Sequence, residues 1–446
     1  MSRTNACARG SLLAALVVLC ASVGCSVSHP AADAAVIDRG APDDLTDASD
    51  DVALDQGAAP YDAGPMPACE VTETVRRVVT QDPGAAVLEL GGLVATAGGH
   101  LAAVRQSWDR VEPADGAAPR RDTVDILAIG LDGSATAGFQ RAYDSTGART
   151  DLSAPTLLPF RGEAYLLFRE SAGVGGAGGF TTRVRSGVVT ASGAVPGASV
   201  LRENLGDPFA AALPDGSIFF VASRVLRAGD AGYIVASPAS FRVSTTGALV
   251  NPTGVDLTIV IPVTAESALM RPTAVGAAMA FRNRNELEVV RFDATGLVDT
   301  RTSVTRGVAV GALDDVALLN EATVAAWADR AGSTVSVHVL VTDPEGRLRA
   351  NDVIERFESV TVPRVNVTPA WGGAAITWIR GDMGAPTLRA RIVQPDGTLR
   401  GLARDVARVP NADGALVTLT RGREITFVAR DSIQGNLGIS FGRACL

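Results

Sequence analysis

The sequence predicts an all-β chain, a seven-bladed β-propeller of four-stranded antiparallel blades over residues 69–446. Three observations predict it. Turn glycines recur at Gly133, Gly193, Gly247, Gly296, Gly346 and Gly397, a spacing of 49 to 60 residues that marks a repeat architecture. A short apolar run rich in β-branched and aromatic residues recurs seven times between them. After the N-terminal apolar segment no window holds a helical period.

The repeat unit is clearest at Gln394-Pro395-Asp396-Gly397-Thr398-Leu399, between the apolar runs 388–393 and 399–406. Glycine takes the positive φ that a tight hairpin turn needs, and Asp tolerates the neighbouring position. The second run of each unit is Leu101–Arg105, Tyr165–Arg169, Ile218–Val221, Ala278–Arg282, Val324–Trp327, Ile376–Arg380 and Ile425–Arg430. Four such strands in about 50 residues is the composition of a propeller blade.

Six glycine turns serve seven units, and the chain ends supply the difference. The last unit stops at Cys445 after a third strand, where the next turn would fall. Its missing fourth strand is available as residues 71–79, directly after Cys69. The N-terminal strand is therefore expected to complete the last blade, with Cys69 paired to Cys445 in place of a turn.

Residues 1–24 read as a signal peptide: Arg3 and Arg9 precede the apolar stretch Ser11–Leu19, which is too short to span a membrane. Ser22-Val23-Gly24-Cys25 then resembles the lipobox of bacterial lipoproteins, which implies lipidation of Cys25. Ser22 stands where Leu is usual, so plain cleavage stays open as the alternative. Ser26 after the cysteine implies outer-membrane retention, and the chain as a whole resembles bacterial propeller lipoproteins. That resemblance implies a periplasmic or surface-facing protein whose only membrane contact is the anchor. Residues 25–68 form an Ala, Asp and Pro segment with nine Asp against Arg39, read as a disordered, self-repelling linker. Cys7 and Cys20 leave with the signal peptide and Cys25 carries lipid, so Cys69 and Cys445 are the two cysteines left to pair.

Residues 1–68 hold three Arg and nine Asp, so −6 of the formal net charge of −8 lies there and the propeller is close to neutral. No basic stripe exists, which argues against a nucleic-acid partner. His29, His100 and His338 are the only histidines, and with the cysteines they assemble no metal site, haem site or thiol nucleophile. No phosphate loop or Gly-x-Ser-x-Gly elbow occurs, and no cofactor is implied. Sialidase-type Ser-x-Asp-x-Gly-x-x-Trp boxes, Trp-Asp repeat endings and kelch patterns are also absent.

Symmetry breaks in the connections from second to third strands. Those over Gln106–Asp122, Glu170–Thr182 and Arg224–Ser240 are long and the later four are short. They suggest a lopsided binding face with Trp108, Arg120, Arg121 and Tyr233 as contacts. On this reading the chain is a monomeric, non-catalytic binding or scaffold module of the cell envelope, with a protein or glycan as ligand. The alternative is a carbohydrate-active hydrolase or lyase with channel carboxylates. An enzyme requires a funnel whose mouth collects two or three buried Asp or Glu with raised proton affinity. First strands begin near Asp207, Asp314 and Asp413, which makes these the candidate catalytic residues.

Overall fold

The computed structural model describes residues 69, 71, 73–79, 87–107, 121–135, 138–145, 150–174, 179–228, 232–257, 268–298, 303–381, 385–433 and 436–446. They form seven antiparallel blades. Blade one runs through Val87–Thr96, Gly99–Ser107, Asp122–Gly130 and Gln140–Asp144. Blade two has a first strand in two pieces, Thr150–Leu152 and Thr156–Phe160, followed by Glu163–Val174, Gly179–Val189 and Ser199–Glu203. Blades three to six begin at Phe209, Ala268, Asp315 and Asn366. Blade seven takes Ala412–Arg421, Glu424–Ile433 and Asn436–Cys445 from the C-terminus and Thr74–Val79 from the N-terminus.

Alternation along the strands explains the packing. The second strand of blade one, buried on both faces, points Leu101 and Ala103 into a cluster with Leu157, Leu166 and Phe168 of blade two. Its Ala102 and Val104 point the other way, to Val428, Ile439 and Phe441 of blade seven. A strand of period two between two neighbours is apolar at every position, which is why these runs are continuous. The core is accordingly seven clusters, one between each pair of adjacent blades. First strands of successive blades touch around the ring and line the channel.

Each repeated glycine has a left-handed φ, from 74° at Gly133 to 93° at Gly397. Its N–H donates three residues back, as from Gly397 to the Gln394 carbonyl at 3.0 Å. The glycine is required for a second reason. A Cβ on Gly397 would stand 2.6 Å from Ala350 Cβ of blade five, and one on Gly346 3.0 Å from Ser303 Cβ of blade four.

At the seventh junction Cys69 and Cys445 form a disulfide with Cα atoms 5.9 Å apart. Thr74–Val79 pairs in register with the strand that Cys445 ends, Thr74 facing Arg443 and Val79 facing Gly438. Arg77 donates from Nε to Asp431 Oδ1 at 2.7 Å, and the Asp431 side chain is fully buried. Disulfides belong to exported proteins far more often than to cytosolic ones. No helix among the described residues is long and apolar enough to cross a membrane.

One expectation changes. Glu170–Thr182 and Arg224–Ser240 are for the most part extensions of the second and third strands, Glu163–Val174 with Gly179–Val189 and Ile218–Ala228 with Gly232–Val243. Paired strands satisfy their backbone groups where a long loop would leave them to water.

Two stability predictions follow from the closure. Cys69→Ser with Cys445→Ser, which opens a loop of 376 residues, should lower the guanidinium unfolding free energy by up to about 5 kcal/mol. Arg77→Ala strands the buried Asp431 carboxylate and should cost about 3 kcal/mol in the same assay.

Candidate active site at the channel mouth

All seven first strands are innermost and run in one sense, so their starts gather at one end of the channel, the upper face. Second strands end there too. Acidic residues at the strand starts therefore meet arginines at the strand ends. Arg105 pairs with Glu89 at 2.9 Å and with Asp151 at 3.3 Å, and Arg169 with Asp151 and Asp207 at 3.1 Å each. Glu89, Arg105, Asp151, Arg169 and Asp207 thus form a row of alternating charge across blades one to three. Fully buried Asp122 anchors it, accepting from Arg105 Nη2 at 3.3 Å, Ser107 Oγ at 2.6 Å and the Leu152 amide of blade two at 3.1 Å. Burial raises the proton affinity of Asp207, Arg169 draws it back, and Asp151 adds to the rise.

Asp314 sits just ahead of the first strand of blade five and is half-buried. Its Oδ2 accepts from the Ala328 amide at 3.0 Å and, across the junction, from the Val365 amide of blade six at 3.4 Å. Burial pushes its carboxyl up to about 6, against the two amides and the field of Arg364. Oδ1 receives no hydrogen bond among the described residues. The adjacent Asp315 is held differently: it pairs with Arg271 and accepts from the Val316 and Val367 amides at 2.8 Å each. Asp413 is also taken up, 2.5 Å from Arg430 Nε, while Arg430 donates to the Leu88 carbonyl of blade one at 2.9 Å. Asp207 and Asp314 are thus the strand-start carboxylates with raised proton affinity, and Asp413 serves the ring closure.

Between blades four and five the structure opens a cavity of about 470 Å³. Ala328, whose amide holds Asp314, lies between two of its lining residues, Trp327 and Asp329. Trp327 is a buried wall. His338 stacks on it with centroids 5.1 Å apart, and His338 Nε2 lies 3.1 Å from Asp329 Oδ2. Arg282 and Asn285 close the opposite side. Gly311 is required there by close approach, since a Cβ would fall 2.3 Å from Trp327 Cδ1. Sequence reasoning treats Trp327 and His338 as ordinary strand residues. A Trp and a His on paired strands, with a glycine outside the turn repeat, are the signal that could have singled them out.

Trp108, Arg120 and Cys25 lie outside the described residues. Arg121 pairs with Asp144 at 2.7 Å, so its guanidinium belongs to blade one. Tyr233 lies on the third strand of blade three, opposite Arg227 in the register.

No protein-family model matches the chain and no curated protein is similar to it. Among solved structures it is similar to Trypanosoma rangeli sialidase in complex with sialic acid, at 10% identity and a TM-score of 0.40, over 82% of this chain and 56% of that one. It is also similar to a polysaccharide lyase of family PL25, an ulvan lyase, at 11% identity and a TM-score of 0.40, over 70% of this chain and 80% of that one. The chain thus spans little more than half the sialidase chain. At these TM-scores no residue role is transferred, and the site rests on its own geometry. The expectation of a non-catalytic binding or scaffold module is nevertheless corrected here. The solved structures named above are a sialidase and a polysaccharide lyase, which stand with the carbohydrate-active alternative and not with a binding or scaffold module.

The raised Asp314 sets a pH dependence with a definite sign. Its proton is held more tightly in the folded than in the unfolded chain. Its contribution to stability is therefore fully present below pH 4 and lost as pH rises through about 6. Asp314→Asn should remove that part of the slope, seen as a smaller drop in the denaturant midpoint between pH 4 and pH 7 than in the unaltered protein.

Proposed function

We propose that the upper channel mouth is the active site of a carbohydrate-active hydrolase or lyase, with Asp314 as its general acid. The observation that carries this reading is the placement of Asp314. One oxygen is fixed by amides of two blades, and the other is unbonded among the described residues. Bond cleavage between sugars needs a proton delivered to the leaving oxygen, and a carboxyl that keeps its proton near neutral pH supplies one. Asp207 is the second proton-holding group of the mouth, and Arg169 beside it supplies the positive charge that would hold an acidic sugar or a developing anion. Hydrolysis and β-elimination both fit this set.

We place the enzyme outside the cytoplasm, held by lipid on Cys25 and acting on cell-envelope glycan. The Cys69–Cys445 disulfide and the lipobox resemblance support that address.

The test is turnover of a glycan panel by the full chain, followed by new reducing ends for hydrolysis and by ultraviolet absorbance of unsaturated sugars for elimination. Asp314→Asn should lower kcat by about 10²- to 10⁴-fold with the fold intact. It should also remove a pH–rate limb near 6. Undiminished turnover by the variant would overturn the assignment.

A further inference from the structure

The opposite end of the channel, where the glycine turns lie, carries a second cavity whose chemistry differs from that of the mouth. It holds about 210 Å³ between blades six and seven. Arg391, Arg400, Arg404 and Arg423 line it together with Trp371 and Leu402, and no Asp or Glu does. Several other arginines on blades six and seven are neutralised: Arg389 by Glu355 and Asp405, Arg380 by Glu355, Arg443 by Glu424. In the cavity Arg391, Arg400 and Arg404 make no ion pair among the described residues.

What they do instead leaves capacity unused. Arg400 lies over the Trp371 ring, 4.4 Å from its centroid. Arg391 donates from Nη1 to the Ile354 carbonyl at 3.4 Å, while its Nε is buried without a partner. Arg423 donates to the Leu446 main-chain oxygen at 2.7 Å. Arg404 makes no hydrogen bond among the described residues, and burial and the neighbouring Arg423 both weaken its hold on its proton. Gathering cations that repel one another costs folding free energy, and a bound anion recovers it. The guanidinium fork matches two oxygens of a carboxylate, sulfate or phosphate. The other walls are apolar: Trp371, Ala390, Ile392 and Leu402, with Leu402 85% exposed at the rim. The volume is small for a ligand pocket and suits a single ring or headgroup.

We propose that this lower cavity is a binding site for a small organic oxyanion, whose acidic group is held by Arg404 and Arg400 and whose apolar body rests on Trp371 and Leu402. The site is remote from the channel mouth and independent of any glycan chemistry there.

Calorimetric titration of the full chain at low salt tests it, with benzoate, glucuronate and inorganic sulfate as charged probes and benzyl alcohol and glucose as neutral counterparts. The charged organic probes should bind at least tenfold more tightly than their neutral counterparts, and benzoate more tightly than sulfate. Arg404→Gln should weaken benzoate at least tenfold while leaving the melting temperature unchanged or higher, because it removes an uncompensated charge. A side chain needed only for folding would lower that temperature. Arg400→Gln provides the same reading should Arg404→Gln not fold. Equal binding of benzoate and benzyl alcohol, no benzoate binding up to about 10 mM, or full benzoate affinity in both variants would each overturn the proposal. Sulfate binding more tightly than benzoate would overturn the apolar half of it.

Discussion

The structure depends on one contact repeated around the ring: a glycine turn of one blade seated against the blade before it. At Gly296, Gly346 and Gly397 the turn fits its neighbour so closely that a Cβ would be crowded, so backbone conformation and blade spacing are set there by the same residue. Side chains of the preceding blade then donate to the turn's own carbonyls. Gln140 reaches Ser192, Arg161 reaches Thr245, Arg242 reaches Ala294, Arg349 reaches Pro395 and Arg443 reaches Leu131. Each contributes about 1 kcal/mol, and together they hold the lower edge of the ring. The junction between blades six and seven has no incoming turn of this kind, and the disulfide stands on that side of blade seven.

The upper edge is held by different chemistry. There the strand starts carry acids and the strand ends carry arginines, so ion pairs and amide-to-carboxylate bonds cross from blade to blade. Asp122 and Asp315 are occupied in this way, and Asp413 is taken up within blade seven by Arg430, which itself crosses to blade one. Asp314 does the same stitching with one oxygen only. A group that is structural on one side and open on the other is well placed for chemistry, because its position is fixed before a substrate arrives. The two faces differ in charge: carboxylates with raised proton affinity lie above, and Arg391, Arg400 and Arg404, without an ion pair among the described residues, lie below.

Parts of this were legible in the chain. The turn period, the apolar second runs and the missing seventh turn are local patterns, and they led to the blade count and to the Cys69–Cys445 bond. The strand-start acids were also visible as a class. Their division into occupied and open members was not, because it depends on which arginine of a neighbouring blade, some 40 to 50 residues away, reaches which carboxylate, as Arg105 reaches Asp151 and Arg271 reaches Asp315. Arg271 illustrates the limit, since it engages Asp315 and not the adjacent Asp314. Trp327 and His338 are likewise ordinary strand residues until Gly311 of the preceding connection closes over them.

What the sequence by itself determined is whatever repeats: glycine where φ must be positive, apolar runs where both strand faces are covered, and cysteines where the repeat lacks a turn. These needs are local, and a period of about 50 residues displays them repeatedly. What only the tertiary structure decided is what occurs once: the open oxygen of Asp314, the cavity between blades four and five and the four arginines around Trp371. Each arises at a single junction, from side chains of two blades whose relative rotation no local pattern encodes. The reason is electrostatic as much as geometric, since a charge in a half-buried setting takes its character from partners brought to it by folding.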